Sequence, residues 1–158
     1  AGGGYVGICA GAFLAASNYS WSLGISNHKT FCETVDVPGI GRKSMWFRGD
    51  SAPVTMELTD EGRKILGDFE GVFEVRYQNG PIMSPMGREG LGNFRPLSHF
   101  RSEVSKYKPQ EGTMVNTPAV IVGEYGNGRV LCISPHPEST DALNRLVQNA
   151  VSWTARRR

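Results

Sequence analysis

An α/β fold is predicted for this chain from three features of its sequence. The apolar residues 5–8 run directly into the helix-favouring residues 10–17, which is typical of a buried strand followed by a buried helix. Two β-prone runs, 119–125 and 129–134, flank a Gly-Asn-Gly turn and predict a hairpin. Residues 143–151 place an apolar stripe along one side of a helix that would cover the sheet.

The segments between these elements carry weaker patterns. Residues 26–51 are rich in Gly, Pro, Ser and Asn, which predicts a long and partly extended excursion. Residues 54–58 alternate like a half-buried strand, and residues 59–67 have the pattern of a short capped helix. Two β-prone runs around Asn79-Gly80 predict a type I′ hairpin, because this dipeptide adopts the positive φ angles of that turn. The polar residues 87–112 are predicted to be irregular.

Composition and charge argue against several classes of protein. The formal net charge is +2 and the basic residues are scattered, which is not the charge pattern of a nucleic-acid-binding domain. The apolar run 8–16 is too short to span a bilayer, so no membrane association is predicted. Cys9, Cys32 and Cys132 show neither a disulfide framework nor a metal-binding spacing, which favours a reducing compartment, and we predict a cytoplasmic protein. Cys132 is predicted to be buried on a core strand and Cys32 to lie in a loop. No nucleotide-binding loop or metal-ligand motif is apparent, so neither a cofactor nor a metal is predicted.

The segment Gly7-Ile-Cys9-Ala10-Gly11 has the spacing of a nucleophile elbow with cysteine as the nucleophile. In an elbow, a sharp strand-to-helix turn strains the backbone of the nucleophile, and glycines two residues before and after it remove a steric collision. Cys9 would lie at the amino end of a helix, where the dipole favours the thiolate, and the N–H of Ala10 would donate to an oxyanion. A cysteine in an apolar stretch is otherwise a small buried hydrophobe, so this interpretation requires a partner.

The segment Pro135-His136-Pro137-Glu138 supplies that partner. The two prolines favour an extended backbone, in which residues i and i+2 project on the same side. Glu138 is therefore predicted to accept a hydrogen bond from one ring nitrogen of His136, leaving the other nitrogen to face the thiol of Cys9. A rigid, solvated corner after a strand is the alternative. We predict a triad with Cys9 as nucleophile, His136 as base and Glu138 as the residue that orients the base.

Other polar residues are secondary candidates. Tyr77, Asn79 and Gly80 would line a substrate pocket if their hairpin folds over Cys9, and otherwise they are ordinary hairpin residues. The remaining histidines, His28 and His99, are predicted to be surface or loop residues because nothing in their surroundings suggests a partner.

Three of these stretches resemble a known family. The stretches "GGGYVGICAG" and "SPHPE" are similar to the class I glutamine amidotransferase-like superfamily, and within it to the branch called the biotin-protein ligase amino-terminal domain. The stretch "VRYQNGPI" is similar to a Tyr/Asn/Gly-containing hairpin of that branch. The resemblance covers residues 2–138. It implies one domain over 1–158, a flavodoxin-like three-layer sandwich with a mostly parallel sheet and added hairpins, and the triad roles of Cys9, His136 and Glu138.

The chain departs from this family pattern in two places. Glutamine-hydrolysing members carry a His-Gln pair after the elbow, where this chain has Ala12-Phe13, so the substrate is left open. Parallel strands and an oxyanion loop precede the elbow in the family, whereas six residues precede Gly7 here. The chain is therefore expected to be the carboxy-terminal portion of a longer domain, without its first strands.

Two functions are consistent with these residues. The first is a cysteine-dependent hydrolase of amide or acyl compounds, in which Cys9 forms a thioester that is hydrolysed by water activated through His136. Its substrate would be a small amide or γ-glutamyl-type compound. The second is a non-catalytic module that binds a ligand or regulates a partner through the same fold. A partner subunit or the expected preceding segment would complete the protein. Rapid alkylation of Cys9 relative to Cys32 and Cys132 would separate the two functions.

Overall fold

A computed structural model describes residues 2–44, 48, 51–104 and 112–156 of the chain. Its main strands are β1 Gly4–Ile8, β5 Ala52–Leu58, β6 Val72–Tyr77, β8 Arg95–Phe100, β9 Pro118–Tyr125 and β10 Gly128–Ile133. They form one six-stranded sheet in the order β1-β10-β9-β8-β5-β6. Two separate pairs consist of β2 His28–Thr30 with β7 Met83–Pro85, and β3 Val35–Val37 with β4 Gly41–Lys43. The described helices are α1 Ala10–Ala15, α2 Asp60–Leu66 and α3 Asn144–Ala155, with 3₁₀ turns at Pro137–Ser139 and Asp141–Leu143.

The α/β fold is confirmed, but the sheet is mixed. β1 and β10 are parallel neighbours, and the other four pairings of the six-stranded sheet are antiparallel. The turn Gly126-Asn127 joins β9 to β10 with two residues, which permits only an antiparallel pair, because a parallel pair needs a crossover of about a dozen residues or more. The expectation of a mostly parallel sheet is therefore wrong for the described residues, and a flavodoxin-like sandwich is not confirmed.

Two predictions about individual strands are also wrong. β8 lies inside the sheet, although residues 87–112 are predicted to be irregular. Its pairing with β9 shifts register on both sides of Ser98, so that Leu97 and Ser98 are both buried and the usual alternation is lost. β6 and β7 flank Asn79-Gly80 but do not form the predicted hairpin, because β6 pairs with β5 and β7 pairs with β2. Packing against distant strands thus overrides the local turn signal.

The other elements follow their sequence patterns. The predicted strand–helix start and the hairpin of β9 and β10 are present. α2 begins after Thr59, whose hydroxyl accepts a hydrogen bond from the Gly62 N–H. α3 buries Leu146 and Ala150 of the predicted stripe against the sheet, together with Thr154, whereas Val151 is exposed. None of the helices in the described part of the chain has the length and apolar character needed to cross a membrane.

The sheet brings several strand ends to one edge. β1 is parallel to β10, and each of the next four pairings in the sheet is antiparallel. β8 and β6 therefore run in the same direction as β1 and β10. β1 and β6 lie at opposite ends of the strand order. However, the N–H of His136, just after β10, donates to the carbonyl oxygen of Arg76 in β6 (2.7 Å). The sheet must curl for these strands to meet, and their carboxyl ends form the candidate site.

Candidate active site

Cys9 lies in a tight turn between β1 and α1. It immediately precedes α1 and has φ 49° and ψ −101°, a conformation that residues other than glycine rarely adopt. The Cys9 N–H donates to the carbonyl oxygen of Ile133 (2.8 Å), which ties the turn to the end of β10. A conformation of this kind costs about 1–3 kcal/mol and persists mainly where surrounding structure holds it, commonly at functional sites. The strand-to-helix turn and the strained backbone predicted for Cys9 are both present.

The two glycines beside Cys9 face different constraints. A Cβ atom on Gly7 would lie 2.6 Å from the carbonyl carbon and oxygen of Gly11 and 2.7 Å from the Tyr5 ring. The predicted collision is therefore present at Gly7. A Cβ atom on Gly11 would have the Tyr5 hydroxyl as its nearest contact, at 3.6 Å, which is an ordinary van der Waals distance. The steric requirement predicted for both glycines holds for Gly7 and not for Gly11.

Gly7→Ala is expected to destabilise the protein by about 1–3 kcal/mol, because the obstructing Gly11 carbonyl belongs to the backbone and cannot rotate away. Gly11→Ala is expected to be neutral or to stabilise by up to about 1 kcal/mol, since alanine is favoured over glycine within a helix. Urea unfolding of both variants measures the difference. Gly92→Ala is a matched control, because a Cβ atom there would have nothing within 4 Å. Equal stabilities of Gly7→Ala and Gly92→Ala would contradict the steric role.

His136 and Glu138 form the predicted hydrogen bond, but the extended backbone predicted for this segment is wrong, because Pro137–Ser139 form a 3₁₀ turn. The distance between His136 Nδ1 and Glu138 Oε1 is 2.6 Å. Because an ionised carboxylate can only accept a hydrogen bond, Nδ1 carries the proton and Nε2 is left as the basic nitrogen. The His136 side chain is 18% exposed and that of Glu138 is 41% exposed, so the pair faces the solvent side of the site.

The parallel pairing of β1 and β10 explains why Cys9 and His136 occur at the same edge. Ile8 and Ile133 are in register at the ends of the two strands. Cys9 follows Ile8 directly, and His136 follows Ile133 after two residues. The Cys9 thiol donates a long hydrogen bond to the carbonyl oxygen of Gln78 (3.5 Å). Within the described residues, no hydrogen bond joins the Cys9 sulfur to the imidazole.

Burial raises the pKa of the Cys9 thiol above its ordinary 9.0. The N–H of Ala10 bonds to the sulfur and lowers this pKa, the Glu138 carboxylate raises it, and the Arg76 guanidinium lowers it. α1 has only six residues, and its amino end does not outweigh burial. The thiolate predicted from the helix position is therefore wrong for the protein by itself, and Cys9 is a neutral thiol near pH 7.

Tyr77, Asn79 and Gly80 form the wall behind the site. Tyr77 is 1% exposed, and its hydroxyl donates to the carbonyl oxygen of Gly80 (2.8 Å). The Asn79 side-chain oxygen accepts a hydrogen bond from the Arg48 N–H (2.5 Å). A Cβ atom on Gly80 would lie 2.0 Å from the Ser134 carbonyl oxygen, so this segment packs directly against the chain leading to His136. In the structure, the contacts of these three residues are with other parts of the chain. Their predicted role in lining a substrate pocket stays a prediction.

Arg76 and Gln78 are residues of the site that sequence patterns do not indicate. The Gln78 carbonyl oxygen contacts the Cys9 thiol, and the Arg76 carbonyl oxygen holds the backbone of His136. The Arg76 Nη2 also donates to Gln78 Oε1 (2.6 Å). β6 alternates between its two faces, so Tyr77 points into the core and Arg76 points to the opposite face. This alternation is the one feature of the sequence from which an outward-facing Arg76 could have been predicted.

The remaining cysteines are as predicted, whereas the histidines are not: His99 is half-buried on strand β8 instead of lying in a loop. Cys32 is exposed, and full burial raises the pKa of Cys132 to about 12. His28 is buried rather than at the surface, because its imidazole lies against α1 and its ring nitrogens are at hydrogen-bond distance from the Ser26 hydroxyl and the Ala12 carbonyl oxygen. Among the described residues, no group of three or more His, Cys, Asp or Glu side chains is placed to hold a metal ion.

Comparisons with known proteins agree with the motifs at this edge. No curated protein matches the chain. A family model described as "Biotin-protein ligase, N terminal" matches residues 1–155, which is nearly the whole chain and includes Cys9, His136 and Glu138. This match confirms the resemblance that the stretches around Cys9 and His136 indicate. The chain therefore belongs to the biotin-protein ligase N-terminal family.

Proposed function

We propose that the chain is a cysteine-dependent amide or acyl hydrolase of the amidotransferase-like type. The observation that carries this proposal is the 2.6 Å hydrogen bond between His136 Nδ1 and Glu138 Oε1, which leaves Nε2 as a base at the strand edge that also bears Cys9. The strained backbone of Cys9 supports the same function. Membership of the family is compatible with it, since Cys9, His136 and Glu138 lie inside the matched region.

The reaction begins with the thiol of Cys9 in its neutral form. Rotation about the Cα–Cβ bond moves the sulfur away from the Gln78 carbonyl and towards His136. The sulfur attacks the substrate carbonyl carbon while Nε2 of His136 takes the thiol proton. The N–H of Ala10 donates to the oxyanion that develops. The imidazolium protonates the leaving group as the carbon–heteroatom bond breaks, and Cys9 is left as a thioester.

Hydrolysis of the thioester repeats these proton transfers with water. Nε2 of His136 removes a proton from water as its oxygen attacks the thioester carbonyl, and the proton then passes to the departing sulfur. The acid product leaves, and Cys9 is again a thiol. Glu138 holds the ring orientation and stabilises the imidazolium in both halves of the reaction. Because burial keeps the thiol protonated, the proposal requires a general base instead of a stable thiolate–imidazolium pair.

The test uses p-nitrophenyl acetate as an acyl donor. We expect release of p-nitrophenol with an acetyl group on Cys9, located by peptide mapping after acid quench. Cys9→Ala should abolish this acetylation. Cys32→Ala is the matched control, because Cys32 is exposed and its replacement should leave the rate unchanged. Acetylation at Cys32 to the same extent as at Cys9, or a rate that is unaltered in Cys9→Ala, would rule out the hydrolase.

A non-catalytic binding module is the second candidate. The observation that favours it is the hydrogen bond from the protonated Cys9 thiol to the Gln78 carbonyl. This bond holds the sulfur against the segment after β6 instead of against His136. A ligand-binding or regulatory domain associated with a biotin-protein ligase would fit the description of the family. For this candidate we expect Cys9 to react no faster than Cys32 with p-nitrophenyl acetate.

A further inference from the structure

Arg76 is held by three segments of the chain next to the proposed triad. Its Nε donates to the Ser51 hydroxyl (2.7 Å), Nη1 to the Ser139 hydroxyl (3.1 Å) and Nη2 to Gln78 Oε1 (2.6 Å). Ser139 lies in the 3₁₀ turn that also contains Glu138, and Gln78 contacts the Cys9 thiol. The guanidinium therefore has a defined position relative to the nucleophile and the base.

All three acceptors of Arg76 are uncharged. A guanidinium remains protonated in proteins and presents five N–H donors. The three hydrogen bonds to neutral oxygens leave two N–H groups, one on each terminal nitrogen. Within the described residues, no carboxylate lies at ion-pair distance from Arg76, whereas Arg63, Arg95 and Arg101 each pair with an acidic side chain. Among the described residues, Arg76 therefore has no ion-pair partner.

Arg76 also lines a cleft of about 290 Å³. The other lining residues come from the start of β5, the outer side of β6 and the segment after Glu138: Ser51, Ala52, Pro53, Glu74, Val75 and Thr140. Glu74 precedes Arg76 by two residues on the same face of β6 and gives the cleft one acidic side. The cleft thus combines a fixed cation with room for a small organic group.

We propose that Arg76, which is linked to Cys9 through Gln78, binds a carboxylate group of the substrate at this cleft. The inference rests on the proposed hydrolase function and adds the chemical class of its substrate, an amide or ester whose acyl part carries a carboxylate. Two N–H groups on the terminal nitrogens of one guanidinium match the two oxygens of a carboxylate. Glu74 and Glu138 lie near the same cation and disfavour a doubly charged phosphate. The Arg76 guanidinium lowers the pKa of the Cys9 thiol, so the two groups are close enough to interact electrostatically.

The experiment compares two alkylating reagents that differ in charge. Iodoacetate and iodoacetamide both transfer a two-carbon group to the sulfur with loss of iodide, but only iodoacetate carries a carboxylate. Rates of modification at Cys9 are measured by peptide mapping at mildly alkaline pH in the wild-type chain and in Arg76→Gln. We expect the ratio of the iodoacetate rate to the iodoacetamide rate to fall about tenfold or more in Arg76→Gln, the effect of losing about 1.4 kcal/mol of binding. Acetate should protect the wild-type chain against iodoacetate.

Two further variants make the result specific. Arg95→Gln is the matched control, because it removes the same charge from a residue that pairs with Glu61 at the opposite edge of the sheet, and its ratio should equal that of the wild type. Arg76→Lys keeps the charge and should retain a ratio above that of Arg76→Gln. If Arg76→Gln does not fold, acetate protection of the wild-type chain against iodoacetate still tests the carboxylate site.

Each outcome separates this inference from the function on which it rests. If p-nitrophenyl acetate acetylates Cys9 selectively and the ratio of alkylation rates is the same in the wild type, Arg76→Gln and Arg76→Lys, the carboxylate site is wrong and the hydrolase remains supported. If acetate gives no protection in the wild-type chain, the carboxylate site is likewise wrong. If p-nitrophenyl acetate acetylates Cys9 no faster than Cys32, the hydrolase itself is wrong, and a substrate carboxylate at Arg76 is then excluded with it.

Discussion

His136→Ala is expected to slow acetylation of Cys9 by p-nitrophenyl acetate about 10²–10⁴-fold at neutral pH. Burial keeps the Cys9 thiol protonated, so attack requires a base that removes the proton as the bond to carbon forms. His136 is the candidate base because Glu138 fixes the proton on Nδ1 and leaves Nε2 available. Stopped-flow release of p-nitrophenol, with peptide mapping of the acetyl group, measures the effect.

Two variants define what His136 contributes. Glu138→Gln should slow the reaction less than His136→Ala does, because the base remains and only its orientation and charge stabilisation are weakened. At strongly alkaline pH the difference between His136→Ala and the wild type should shrink, since the thiol ionises without assistance. His99→Ala is the matched control: His99 is half-buried on β8, where its surroundings include Glu57 and Arg101. A His136→Ala rate equal to that of His99→Ala would contradict general-base catalysis.

Acid is expected to destabilise the protein by about 3 kcal/mol through His28 between pH 6.5 and pH 4. Burial lowers the pKa of His28 from its ordinary 6.5 to about 4. The unfolded chain therefore binds a proton in this range while the folded chain does not, so the free energy of unfolding falls as the pH falls. Protonation would also oppose the hydrogen bond between the imidazole and the Ser26 hydroxyl when that hydroxyl is the donor.

Urea unfolding at several pH values between 7 and 4 tests this expectation. His28→Gln removes the titrating group, so its stability should change less steeply with pH than that of the wild type, even if its stability at pH 7 is lower. His99→Gln is the control, because burial lowers the pKa of His99 as well but that ring is only half-buried. Parallel stability curves for the wild type and His28→Gln would show that His28 is not the group responsible.

Local sequence is sufficient to predict the geometry of residues that depend mainly on their immediate neighbours along the chain. The hydrogen bond between His136 and Glu138 is local, because a 3₁₀ turn at Pro137–Ser139 brings the two side chains together. The strained turn at Cys9 follows from a strand that meets a helix, with Gly7 required because an added Cβ atom would collide with Gly11. The family model matches residues 1–155, a region that contains both of these motifs. In each case the determining contacts lie within a few residues along the chain.

The errors of prediction arise where distant segments compete for the same contact. The Asn79-Gly80 turn does not form a hairpin because β6 pairs with β5 and β7 pairs with β2. β8 is hidden in the sequence, since its register shifts break the alternation by which a strand is identified. His28 looks like a loop histidine because its burial depends on α1, whose Ala12 carbonyl lies 16 residues earlier in the chain. Pairing partners of this kind are separated along the chain, and local patterns do not encode which partner prevails.

Short stretches of sequence thus identify the residues proposed as a triad, whereas the curled sheet determines their environment. Only the approach of β6 to the ends of β1 and β10 brings Gln78 to the Cys9 thiol and Arg76 to the Glu138 segment. That approach also buries the sulfur, so that desolvation outweighs the favourable amino end of a six-residue helix and keeps Cys9 a thiol. Burial and charge depend on every segment that surrounds a group, and for Cys9 these segments come from opposite ends of the strand order.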